Sequence, residues 1–154
     1  MDQESVYLRN LMKENRKVLL PLTKYLSWLE QAGDKAASSI YSGEGIAQTS
    51  VAFPVYDATL LSFIREAQKS SLMDRNYPYV YSRKGIKTHD QERRFIVACD
   101  WREWDSLRGI LSKYVLGGQT KASLWSEGVT EKIFYLTIMK MQEIIDYWDC
   151  STGE

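Results

Sequence analysis

The sequence predicts a mainly α-helical, α+β domain of about five helices, with a small β-hairpin packed against the bundle. Three observations predict it. Apolar residues recur at steps of three and four over most of the 154 positions. The 44% hydrophobic and 26% charged fractions suit one ordinary core. Between Ser38 and Val55 the helical period is lost, and "SSIYS" and "TSVAFPV" flank the glycines of "SGEGIA" as two β-favouring pieces. A chain of this length fits one domain. Residues 1–150 therefore read as a single helical domain with the hairpin near 38–55, and 151–154 as a disordered tail.

From Val6 to Leu29 the spacing is helical, but Pro21 lacks an amide and disfavours helical angles at Leu20, so two helices or one kinked helix are expected. Val18, Leu22, Tyr25, Leu26 and Leu29 form the stripe of the second half, with Gly33 as its stop. Asp57 is placed to cap a helix running to about Leu72, where the alternating Phe53 and Val55 give way to Leu60, Leu61, Ile64 and Ala67. Residues 73–90 read as irregular, with Tyr77, Tyr79 and Tyr81 alternating around Pro78. Thr88 and Gln91 have capping-box spacing, and Asp100 repeats that signal before Trp104, Leu107, Leu111, Tyr114 and Val115. Gly117-Gly118 closes that helix. One long last helix is expected from about Thr120 to Trp148, with Phe134, Ile138, Met141, Ile145 and Trp148 on one stripe. Trp125, Val129, Ile133 and Leu136 lie beside it, so the helix is expected to be buried over a wide arc.

Lysine plus arginine and aspartate plus glutamate each number 20, so no global field favours phosphate backbones or anionic lipid. Apolar runs fall far short of a membrane span, and the acidic, polar start lacks the order of a signal peptide. Cys99 and Cys150 are too few for a disulfide framework, and the expected setting is cytoplasmic. His89 is the single histidine and nothing is spaced to complete a metal site around it, so neither metal nor cofactor is expected.

Two constellations bear chemistry. Glu127 and Glu131 share a helical face and flank Gly128, whose missing side chain leaves room for a pocket wall; a small enzyme using this pair is one alternative. The other is the segment that sets Tyr77, Tyr79 and Tyr81 beside Arg83, Lys84, Lys87, Arg93 and Arg94. Aromatics interleaved with cations supply hot spots to a protein partner, or stack bases and contact phosphates. With zero net charge, the expectation is a non-catalytic interaction protein with a protein partner, and nucleic acid binding through 77–94 is the other alternative.

"FPVYDATLLSFIREAQ", the "LRGIL" of Leu107–Leu111 and the "LWSEGV" of Leu124–Val129 resemble a family of small bacterial and phage-associated proteins known only as a domain of unknown function. The resemblance spans roughly residues 25–148. It implies a phage or mobile-element setting and action on a host protein, and it assigns no catalytic residue.

Overall fold

The computed structural model describes residues 3–32, 58–121 and 123–150, and every regular element among them is helical. The chain runs through α1 (Gln3–Thr23), α2 (Leu26–Ala32), α3 (Ala58–Lys69), α4 (Tyr77–Lys84) and α5 (His89–Ala98). A single 3-10 turn (Trp101–Glu103) then leads into α6 (Trp104–Gly117), α7 (Ser123–Thr130) and α8 (Ile133–Cys150).

Helices α6 and α8 form the spine. α6 buries Trp104, Leu107, Ile110, Leu111, Tyr114 and Val115, and packs against α3, α4, α7 and α8. α8 buries Ile133, Phe134, Ile138, Met141, Ile144 and Ile145, and is covered by α1, α2, α5 and α7. Of the stripes expected on the last helix, Phe134, Ile138, Met141 and Ile145 point inward with Ile133 beside them, while Leu136 and Trp148 are half-buried and Trp125 and Val129 lie on α7. At the centre, the Phe63 and Phe134 rings lie 4.9 Å apart, with Tyr25 edge-on to Phe63 and Tyr114 edge-on to Phe134. Such edge-to-face contacts add to area burial because the positive ring edge meets a negative ring face.

Two glycines set the closest approaches. A Cβ at Gly109 would stand 2.6 Å from Val80 Cγ2, so the missing side chain lets α4 lie against α6. A Cβ at Gly128 would stand 2.4 Å from the Phe134 ring. The gap expected to form a pocket wall beside Glu127 and Glu131 is thus filled by an aromatic side chain of the same chain.

The α+β expectation is corrected. The described residues hold eight α-helices and no strand, against about five helices with a hairpin. The hairpin near 38–55 and the Asp57 cap both lie outside the described residues. The surplus helices have physical causes. Residues 77–84 are helical because Pro78 sits in the first turn, where an absent amide costs nothing. Gly85 then closes α4 at φ 67°, its amide donating to the Ser82 and Tyr81 carbonyls. The long last helix is broken at Lys132, which adopts φ 65°. Its ammonium reaches back to the carbonyls of Leu29 and Glu30 at the end of α2, a contact that holds this turn. Pro21 does not end α1. It lies on the exposed face of the last turn, and the chain breaks three residues later, at 24–25.

Candidate functional site

Thr88 caps α5 with the expected reciprocal box: its hydroxyl accepts from the Gln91 amide, and the Gln91 side chain accepts from the Thr88 amide. That cap fixes the first turn and so places His89 and Glu92 on the face that continues to Ile96. Glu92 is 1% exposed. An ionised carboxylate is tolerated at such depth only when its oxygens are hydrogen-bonded, and here all the donors come from the chain. Tyr81 of α4 donates to Oε2 at 2.6 Å, and Tyr114 of α6 donates to the two oxygens at 2.7 and 2.9 Å. His89 Nδ1 lies 2.8 Å from Oε1 and Lys113 Nζ 3.3 Å from Oε2. The Lys113 ammonium also stands over the rings of Tyr81 and Tyr114, at 4.5 and 5.0 Å from their centroids.

The titration behaviour follows from this packing. Burial alone would raise the Glu92 pKa, but the hydrogen bonds from Tyr81, Tyr114 and His89 and the charge of Lys113 outweigh it and hold the carboxyl below its usual range. Burial pushes both tyrosine hydroxyls far up, and the neighbouring carboxylate reinforces it. Because ionised Glu92 can only accept, the facing Nδ1 of His89 carries the proton. The other ring nitrogen faces Glu127 Oε1 at 3.6 Å, and Glu127 in turn accepts from Ser123 at 2.9 Å.

The structure therefore draws Glu127 and Glu131 into this cluster. Glu131 takes Arg93 at 2.9 Å, and Arg93 also bonds Asp90. The cluster is a tie between α4, α5, α6 and α7. Every Glu92 oxygen is occupied and the Gly128 notch is filled by Phe134, so the side chains hold each other. Among the described residues no three of His, Cys, Asp and Glu are arranged to hold a metal ion.

The tyrosine- and cation-rich segment divides by direction. Tyr81 turns inward to Glu92, and Tyr77 is half-buried with its hydroxyl over Gly117. Tyr79 turns outward, 58% exposed, with the Arg83 guanidinium 5.9 Å from its ring centroid. Lys84 pairs with Glu103, Arg93 with Asp90 and Glu131, and Arg94 with Asp90 at 3.7 Å. Lys87 is exposed. Carboxylates of the chain thus already engage three of the five cations.

A second surface centres on Trp101. A groove of about 520 Å³ lies between α1 and the start of α6, with Leu8, Leu11, Met12 and Trp104 in its walls. A groove of about 450 Å³ lies on the other side, over Cys99, Ile144 and Trp148. Trp101 lines both, edge-on to Trp148 with centroids 6.4 Å apart, while the Arg102 guanidinium stands 5.2 Å from the Trp101 ring centroid. Tyr7 stands 63% exposed beside the first groove and Tyr147 70% exposed beside the second. Burial pushes the Cys99 thiol up to about 12, with Glu103 adding to the effect, so it stays protonated and unreactive.

Sequence reasoning missed Glu92, Lys113, Tyr114 and Trp101 as site residues. Glu92 had a signal, since it stands four residues before Ile96 on the apolar line of α5. No family model, curated protein or solved structure matches the chain.

Proposed function

We propose that the chain is a non-catalytic binding protein that engages a protein partner through the aromatic face around Trp101. The observation that carries this reading is the shared tryptophan: two adjoining grooves bring the half-buried Trp101 and Trp148 together with the exposed Tyr7, Tyr147 and Arg102, and Trp, Tyr and Arg dominate binding energy at protein interfaces. The self-satisfied Glu92 network and the filled Gly128 notch support the absence of catalysis by Glu127 and Glu131. The internal pairing of Lys84, Arg93 and Arg94 supports a protein over a phosphate backbone as the partner. A cytoplasmic setting belongs to the same proposal, supported by the free, buried thiol of Cys99. No helix among the described residues is long and apolar enough to cross a membrane.

A second reading places the contact on the outer face of α4, favoured by the exposed Tyr79 with Arg83 over its ring. The resemblance to a phage-associated family supports a host protein as its ligand. Photo-crosslinking in the source cell separates the two. A photoreactive residue at 147 is expected to give a discrete protein adduct that Trp101→Ala abolishes, while one at Glu14 gives none. An adduct from 79 alone would shift the site to α4, and none from either position would defeat the binding reading.

A further inference from the structure

Two tryptophans and a tyrosine wall the second groove beside Trp101. Trp148 stands at 84° to Trp101 and at 83° to Tyr147, with ring centroids 6.4 and 5.5 Å away. The buried Ile144 and Cys99 line the inner side of this hollow, and the exposed Asp100, Glu143 and Tyr147 stand on its rim. The neighbouring groove shows what one of these rings attracts. The Arg102 guanidinium stands 5.2 Å from the Trp101 centroid, and it lines the first groove and not the second. Among the described residues no lysine or arginine lines the second groove.

We propose that the second groove is an aromatic cage for a quaternary ammonium, the trimethylated lysine side chain of a protein partner; this rests on the reading of the Trp101 face as a protein-binding surface. Ring faces are negative, and a cation within about 6 Å of a ring centroid is attracted to them. At the spacings found here, a cation between neighbouring rings lies within that reach of both. The rim carboxylates decide which cation fits. Asp100 accepts the Arg102 guanidinium and the Arg102 amide, each at 2.9 Å, and Glu143 pairs with Lys140 at 3.3 Å. Both are thus engaged within the chain. An unmodified lysine brings N–H donors and a tight hydration shell, and it would have to displace Arg102 or Lys140 to replace the water it gives up. A trimethylated ammonium keeps the charge but has no N–H to satisfy, so ring faces alone serve it. Its alkyl stem finds apolar surface at Ile144 and Trp148. The hollow opens between exposed rim side chains, which lets a side chain enter while the partner's backbone stays outside, along the strip that Trp101 shares with the first groove.

Calorimetric titration of the full chain at probe concentrations of about 1–10 mM tests this. The probes are a capped trimethyl-lysine, the same compound with unmodified lysine, its uncharged analogue with carbon in place of the ammonium nitrogen, and tetramethylammonium chloride. The trimethylated compound is expected to bind about tenfold more tightly than the lysine compound and the uncharged analogue. Tetramethylammonium, which lacks the stem, is expected to bind more weakly than the trimethylated compound. Trp101→Leu keeps an apolar side chain but removes the ring, and Tyr147→Ala removes a ring that is 70% exposed, away from the core. Each is expected to weaken the trimethylated probe about fivefold or more, and the surface variant carries the test should the tryptophan variant unfold. No binding of the trimethylated compound, equal binding of the lysine or uncharged compound, or binding indifferent to Tyr147→Ala overturns the proposal. Tetramethylammonium bound as tightly as the trimethylated compound makes a free head group the ligand and overturns the assignment to lysine. The crosslink from position 147 separates this from the functional reading. A Trp101-dependent protein adduct with no binding of the trimethylated probe keeps the interface and refutes the cage. Probe binding without any protein adduct refutes the interface, and with it a partner's lysine as the source.

Discussion

At the scale of single residues, Glu92 shows what a buried charge requires. Its burial is tolerated because four side chains from three helices aim donors at two oxygens, and removing one of them leaves part of that charge unanswered. Tyr114→Phe, which keeps the ring against Phe134 and deletes only the hydroxyl, is expected to cost about 1.5–3 kcal/mol in denaturant unfolding. The pH dependence has a definite sign. The folded carboxyl of Glu92 lies below its unfolded value, so its contribution is present above about pH 4.3 and is lost as the pH falls through the folded value. Tyr81 and Tyr114 lie above their unfolded values, so their contribution is present below about pH 10 and is lost as the pH rises beyond it. Stability measured against pH is expected to drop at both ends, and Glu92→Gln is expected to flatten the acid limb. An acid limb unchanged in that variant would show that other carboxylates set it. Thr137 is the opposite case: it is fully buried, and its hydroxyl has no hydrogen-bond partner among the described residues. Thr137→Val keeps the shape and removes an unsatisfied group, so a gain of about 1 kcal/mol is expected, and a raised melting temperature would report it.

At the scale of elements, the α4–α6 contact depends on what Gly109 lacks. Gly109→Ala should gain about 1 kcal/mol of helix propensity, yet a net loss is expected, because overpacking against Val80 costs about 1–3 kcal/mol. Val80→Ala in the same chain should recover part of it, and independent effects of the two changes would contradict the close approach. The elements also show what was readable in the sequence. The Thr88–Gln91 box was legible because both bonds are local to four residues, and the α6 and α8 stripes were legible because burial imposes a period. Helix α4 was not. It buries no residue completely, and Val80 on Gly109 and Tyr81 on Glu92 hold it, contacts made across 29 and 11 positions. The break at Lys132 carried no glycine or proline to announce it, and its support comes from α2, about 100 residues away. For the candidate site, the sequence marked the tyrosine- and arginine-rich stretch, but only the helix shows that Tyr81 points in and Tyr79 out. The Trp101 face was hidden because Leu8, Leu11, Trp101 and Trp148 meet only after folding.

At the scale of the whole molecule, α8 is where stability concentrates, since helices from both ends and the middle of the chain rest on it. Ile138, fully buried near its centre, is the position to probe. Ile138→Ala is expected to cost about 2–5 kcal/mol, and a cost under about 1 kcal/mol would mean that the site collapses around the deletion. The pairing of α1 with α8 has a further consequence, in time. Arg16 meets Asp146 across 130 positions, whereas the Glu92 network closes within residues 81–114. Local contacts form before distant ones because a long loop loses more entropy on closing. During synthesis α1 therefore emerges well before α8, its main support. Until then Leu8, Met12, Leu19 and Leu22 have no α8 to cover them, which makes α1 a natural handle for chaperones and proteases.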